Sequence, residues 1–231
     1  MTEMDKIKVV NRSDGWVCVE KPGGISVHND PGKDLVSLLP KILGTEFQAA
    51  VLQPVHRLDR ETSGLLLLGT DPDTVTRLSR IFAAGQVKKK YKALVHGRFD
   101  LPGQSRNGIW EFPLSKKAGG RSNPAGTGKK VAAATRYRVL IQTPHYALLD
   151  IELLTGRKHQ IRRHAKLSGH PVTGDDRYGS VRAISFLREK RGFSGMGLRS
   201  YFLEFKDMDQ CVRIEVEGLS PDMDRLLKQD G

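Results

Sequence analysis

The chain has 231 residues, with 38 Lys+Arg against 26 Asp+Glu and a formal net charge of +12. That length suits one ordinary domain with a packed core. At 38% hydrophobic and 28% charged residues the composition excludes disorder, collagen and a membrane bundle, and apolar runs such as Leu65 to Leu68 fall far short of the ~18 residues a spanning helix needs.

Taken in chain order, residues 1–11 mix Glu3, Asp5, Lys6 and Lys8 with no apolar stretch, so no secretory signal and a cytoplasmic location are expected. Residues 7–10 and 16–19 read as two strands of a hairpin around Ser13-Asp14-Gly15. Lys21-Pro22-Gly23-Gly24 breaks the pattern, and 34–43 reads as a short helix with Asp34 near its N-cap. The compact run 64–68 reads as a buried strand. Asp71-Pro72-Asp73 opens a helix over 74–84, with Val75, Leu78, Ile81 and Phe82 on one face and Gly85 closing it. Strand patterns return at 87–96, 131–141 and 146–153. Between them, 102–128 holds six of the 24 glycines and reads as largely loop, with an extended piece around Trp110 to Leu114. A helix over 159–168 ends at Gly169, strands at 198–205 and 211–216 pair, and Pro221 opens a terminal helix over 221–228. Strands dominate and are rarely separated by single helices, so the expected class is α+β with a mixed, mostly antiparallel, bent central sheet and flanking helices and loops. One domain is expected over 1–231, its core about 7–228, with a basic Gly-rich insertion at about 102–130. Cys18 and Cys211 fall in strand patterns and read as reduced core residues.

The positive charge is local. Residues 86–138 carry 13 Lys+Arg against Asp100 and Glu111, which is +11 of the total +12, and Arg157, Lys158, Arg162, Arg163 and Lys166 form a second cluster. Concentrated cations are the footprint of a polyanion partner, and equally of a solvated face that keeps a protein in solution. The densest segment is His56-Arg57-Leu58-Asp59-Arg60-Glu61-Thr62-Ser63-Gly64. Asp59 stands between Arg57 and Arg60, which favour its ionised form and offer phosphate contacts. Such a carboxylate is a candidate nucleophile or general base, and equally one member of a structural ion-pair cluster. Tyr91, between Lys90 and Lys92, is a base-stacking or proton-transfer candidate or an ordinary sheet tyrosine. Thr155-Gly156-Arg157-Lys158-His159-Gln160-Ile161-Arg162 leads from a strand into a helix, where backbone N–H groups and arginines can receive a phosphate or carboxylate. Gly169 to Gly179 is a glycine-punctuated loop that reads as scaffold.

His56 to Leu67 resembles the central motif of the RluA family of pseudouridine synthases. Lys21-Pro-Gly-Gly-Ile-Ser-Val-His28 is similar to that family's N-terminal motif, 90–97 to its tyrosine motif, and 155–162 with 169–179 to its C-terminal motifs. Five ordered motifs spanning residues 20–179 carry the resemblance. It implies the pseudouridine synthase fold and an enzyme that isomerises uridine to pseudouridine in structured rRNA or tRNA, without cofactor or metal. It further implies Asp59 as the catalytic aspartate acting at the ribose, Tyr91 packing on the target uracil and Arg162 pairing with the aspartate, with Arg157 second. Arg57 corresponds to the residue that fills the gap left by the flipped nucleotide; flipping costs roughly a few kcal/mol, which contacts offset. RNA contacts are expected from Arg57, Arg60, Lys90, Arg157 and His159 and, in the insertion, from Lys116, Lys117, Lys129 and Lys130. Arg163 and Ala165 depart from the family pattern, as does Leu198-Arg-Ser-Tyr-Phe202. With about twenty residues before Lys21, no S4-type RNA-binding domain is expected. The expected partner is RNA alone, with no membrane, and nothing demands more than a monomer.

Rival readings fare worse. A silent RNA-binding module has no use for Asp59, Tyr91 and Arg162 together. A glycosidase using Asp59 with Glu61 would place two carboxylates too close in sequence to flank a sugar. A methyltransferase needs a cofactor turn that Lys21-Pro-Gly-Gly does not supply. A metal site is disfavoured because His159 and His164, five apart, point from different helix faces.

Overall fold

The computed structural model describes residues 7–44, 52–100 and 102–231. Most of the residues read for a secretory signal lie outside that range. The chain divides into two compact units, Met1–Lys89 with Ser200–Glu217, and Lys90–Arg199 with Gly218–Gly231.

In the first unit, β1 (Lys8–Ser13) and β2 (Trp16–Lys21) form the expected hairpin, with Ser13 paired to Trp16 and Gly15 at φ +85° in the turn. β2 pairs antiparallel with β4 (Ser63–Gly69), which also carries the short β3 (Gln53–Pro54). Leu65, Leu66, Leu67 and Leu68 are all fully buried, which is why the run shows no apolar alternation. α1 (Leu35–Leu43) is capped by Asp34, whose carboxylate accepts from Ser37 N. α2 (Pro72–Ala83) starts where Asp71 accepts from Thr74 N, with Pro72 in its first turn. It lays Leu78 on a core of Trp16, Cys18, Leu65, Leu67, Phe205 and Ile214. The last two belong to β11 (Leu198–Asp207) and β12 (Gln210–Glu215), which pair antiparallel as expected.

In the second unit β5 (Lys88–His96), β10 (Tyr146–Leu153), β9 (Thr135–Gln142) and β6 (Asn107–Trp110) lie side by side in that order, every pair antiparallel. α4 (Val181–Arg191) and α5 (Pro221–Asp230) cover one end of a face through Leu187, Met223 and Leu226, packed on Leu94 and Leu148. α3 (Gln160–Leu167) follows β10. The mostly antiparallel α+β class holds.

Two expectations need correction and one needs detail. The insertion is largely loop as expected, but besides β6 it also forms a two-stranded sheet of β7 (Leu114–Lys117) and β8 (Thr127–Val131). Glycines marked the turns there, but the strands are too short and too cationic to show an alternating pattern. No element is expected between 179 and 198, yet α4 stands there, because only Ile184 and Leu187 of its residues are buried and no apolar stripe is visible. Cys211 is exposed, whereas Cys18 is fully buried with its thiol pushed up to about 12 by desolvation. On β12 it is Val212 and Ile214 that turn inward, so Cys211 and Arg213 face outward.

Candidate active site

In the first unit Lys21 and the loop 56–64 are built as one piece. Lys21, at the end of β2, is fully buried, and its ammonium donates to Pro22 O at 2.9 Å, Ile25 O at 2.8 Å and Arg60 O at 3.0 Å. Three donors thus meet three carbonyls. Burial lowers its pKa to about 8 against the pull of the Glu61 and Asp59 carboxylates, which favours the charged form. Arg60 Nε donates to Gly24 O at 2.8 Å while Gly24 N donates back to Arg60 O at 2.8 Å, so the Pro22-Gly23-Gly24 turn clasps the loop from outside. Within the loop, Thr62 N donates to Asp59 O at 3.1 Å. Asp59 is half-buried, and Arg57 and Arg60 are exposed on either side of it.

The loop's ends are fixed by the sheet. Gly64 sits at φ +107°, and a Cβ there would lie 1.9 Å from Ser200 O, so only glycine lets β4 pass its neighbour. His56 accepts from Leu67 N at 3.0 Å through Nε2 and stacks on Phe82 at 4.5 Å. Desolvation, helped by Lys89, pushes it down to about 3, so it is neutral and structural.

The second unit carries the other expected residues. Tyr91 is buried on β5, opposite Ile151, on the face that also holds the fully buried Ala93 and Leu149. Lys90, one residue earlier, points to the other face, where it is registered with Glu152 and borders a cavity of about 480 Å3 lined also by Arg136, Arg138 and Asp150. Tyr91 and Lys90 are therefore separated by the sheet. Lys116, Lys117, Lys129 and Lys130 are all exposed on the β7–β8 hairpin.

Arg162 on α3 is buried, and its Nε and Nη2 both donate to Asp175 at 2.8 Å in a bidentate pair. Asp175 also accepts from Arg177 N and Tyr178 N at 3.0 Å, so the carboxylate is fixed before it holds the guanidinium. Tyr178 lies under Arg162 and its hydroxyl is 2.9 Å from His159 Nδ1. His159 takes a left-handed conformation at φ +52°, turning the chain into α3. Gln160 braces that entry: Oε1 accepts from Thr155 Oγ1 and Arg157 N, and Nε2 donates to Ala134 O and Thr135 Oγ1. Arg157 is exposed, its Nε reaching Ala132 O at 3.3 Å.

Lys21, Gln160, Arg163 and Asp175 are supporting residues that reading by residue type does not single out. Asp175 left one trace, a Gly-Asp-Asp-Arg-Tyr-Gly turn that follows the arginine helix. Among the described residues no group of three or more His, Cys, Asp and Glu could hold a metal ion, and no helix is long and apolar enough to cross a membrane.

A family model described as RNA pseudouridylate synthase matches residues 15–167. tRNA pseudouridine synthase C of Haemophilus ducreyi is 30% identical over 93% of this chain and 91% of that protein. Ribosomal large subunit pseudouridine synthase C of Vibrio cholerae is 34% identical over 75% of this chain, which spans 53% of that longer protein. In fold, human RNA pseudouridylate synthase domain containing 1 superposes with a TM-score of 0.76 at 22% identity, covering 99% of this chain and 96% of that one. Domain containing 4 of the same human series gives 0.73 at 25%, covering 96% and 92%. The fold and motif set thus define an RNA-modifying isomerase. The chain belongs to the RNA pseudouridylate synthase family, as the RluA-type motifs led one to expect.

Proposed function

We propose that this enzyme isomerises specific uridines of structured tRNA or rRNA to pseudouridine, with Asp59 as the catalytic carboxylate and the target nucleotide flipped out of its stack. The observation that carries the reading is the preparation of the Asp59 loop: a carboxylate flanked by two exposed arginines, on a loop whose Arg60 carbonyl is tied by buried Lys21 to the Pro22 and Ile25 carbonyls of the neighbouring turn. A stacked uridine shields C1′, so chemistry there requires extrusion. Arg57 and Arg60 are suited to gripping phosphates on either side, Tyr91 to packing on the uracil, and Arg162 to neutralising the carboxylate as its charge changes. That last role rests on the match of Arg162 to the family's motif; within its own unit Arg162 is a buried guanidinium held by Asp175. The near full-length likeness to a tRNA enzyme favours tRNA as the first substrate to test.

The test is pseudouridine mapping across total RNA from cells lacking the gene, complemented by wild type or by Asp59→Asn. A site lost on deletion and restored by wild type alone is expected. Equal restoration by Asp59→Asn would overturn the assignment.

A further inference from the structure

The most unusual side chain in the second unit belongs to Arg163. It follows Arg162 on α3, is fully buried, and donates to four main-chain carbonyls. Nε donates to Pro124 O at 2.6 Å, Nη2 to Ala125 O at 2.5 Å, and Nη1 to Ser115 O at 3.1 Å and Lys158 O at 3.2 Å. Three of these four carbonyls belong to the β7–β8 hairpin and its connecting turn. A guanidinium buried at such desolvation cost is tolerated only where its geometry is used, and here it fixes the hairpin to α3.

The packing around it is close. Gly126 sits at φ +75°, and a Cβ there would lie 2.1 Å from Lys117 O, 2.2 Å from Ser115 Oγ and 3.2 Å from Arg163 Nη2. Two more arginines stitch the turn to the Asp175 loop. Arg177 donates to Gly119 O and Ala118 O at 3.0 Å, and Arg121 donates to Gly179 O and Asp176 O. On the other side His164 lies 2.9 Å from Phe112 O, holding an aromatic ring that remains exposed beside the hairpin. A hairpin bearing four exposed lysines is therefore not a floppy basic loop. It is held rigid and presents cations with an aromatic, the combination that grips a nucleic-acid backbone and stacks on a base.

We propose that the β7–β8 hairpin is a preformed docking element for RNA phosphates, and that Arg163 is the positioning residue that sets its pose. The proposal rests on the reading above that this enzyme acts on structured RNA. Being buried, Arg163 touches no phosphate itself, so any change it causes in the salt dependence of RNA binding has to pass through the hairpin.

The experiment measures affinity of the full-length chain for one unmodified tRNA transcript across a salt titration, together with KM and kcat. The variants are K116Q/K117Q/K129Q/K130Q, Arg163→Met, Gly126→Ala and the quadruple combined with Arg163→Met. The quadruple is expected to flatten the salt slope by about three to four, near 0.9 per lost contact. Arg163→Met and the charge-neutral Gly126→Ala are expected to flatten it by part of that amount, with the loss falling on KM. Arg163→Met on the quadruple background is expected to add less than about twofold, since coupled sites are not additive. A quadruple that keeps wild-type affinity and slope would overturn the docking surface itself. A weakened quadruple with wild-type binding in Arg163→Met and Gly126→Ala, or with a fully additive Arg163 effect, would overturn the positioning role alone. If Arg163→Met does not fold, Gly126→Ala decides the same question.

Discussion

Lys21 and Arg163 solve one problem in two ways. Both are fully buried cations whose charge is met by main-chain carbonyls: Lys21 joins Arg60 O of the 56–64 loop to Pro22 O and Ile25 O, and Arg163 joins three carbonyls of the β7–β8 hairpin and its turn to Lys158 O. The difference lies in what else is near. Burial pushes Lys21 down to about 8, within reach of titration, even though the Glu61 and Asp59 carboxylates pull it up. Burial lowers the pKa of Arg163, with Tyr178 opposing and Arg177 adding to the shift, but a guanidinium starts so high that it stays charged. A titratable pin therefore sits under the loop of the proposed chemistry, and a permanent one sits under the proposed docking element.

The largest effect is expected of Lys21→Met. It leaves the Pro22, Ile25 and Arg60 carbonyls without their donor and lets the Asp59 loop shift. A misplacement of about 1 Å costs ~10²-fold in rate, so kcat is expected to fall by about that factor. Stability is expected to fall by only about 2 kcal/mol, because relief of the desolvated ammonium offsets part of the lost hydrogen bonding. Pseudouridine formation in single-turnover assays, set beside urea unfolding, checks both. If rate and stability were both near wild type, Lys21 would be a passive core residue.

Much of this was legible from the residues, and what was missing has a common cause. Motifs announce side chains of the kind that act on a partner: Asp59, Tyr91 and Arg162 stand out because they fall at the family's motif positions, and their roles here are proposals. Lys21, Gln160 and Arg163 bind carbonyls of the protein's own backbone in segments as far as 48 residues away, and Asp175 accepts from Arg162 and from two backbone N–H groups. No spacing rule encodes such a partner. The strands are legible where apolar and β-branched residues are bounded by turn signals, as at β1–β2 and β11–β12. They were missed at β7 and β8, where cations occupy both faces, and α4 was missed for want of an apolar stripe. Cys211 was misplaced by the same parity that put Val212 and Ile214 inside.

A pH series sharpens the contrast at intermediate size. Lys21 has its folded pKa lowered from 10.5 to about 8, so between those values the unfolded chain holds more protons. Stability is therefore expected to rise with pH across that window, by roughly 3 kcal/mol from this group. Lys21→Met removes that rise and Arg163→Met leaves it. At the acid end His56, lowered from 6.5 to about 3, stays neutral while the unfolded chain protonates. Stability is thus expected to be lost as pH falls below 6.5, by roughly 2 kcal/mol at pH 5. His164, lowered to about 4 by burial, contributes in the same direction in the other unit. Urea midpoints at pH 5, 7 and 9.5 read all three. A flat profile from pH 7 to 9.5 in wild type would show that Lys21 is not the desolvated cation its surroundings make it.

The smallest effect concerns the two thiols, which also report on the first unit alone. Cys18 lies in the β2 core with its thiol pushed up to about 12, while Cys211 is exposed on β12. A thiolate is the reactive form, so Cys211 is expected to react with a thiol reagent at once and Cys18 only when the β2–β4 pairing opens. Cys211→Ser should change stability by less than about 0.5 kcal/mol, as exposed substitutions do, and leaves Cys18 as the sole reporter. In that background Lys21→Met, which loosens the end of β2, is expected to speed Cys18 labelling severalfold. Arg163→Met, which acts on the other unit's hairpin, is expected to leave it unchanged. Equal acceleration by both would mean that the two pins share one cooperative structure rather than guarding separate parts of the molecule.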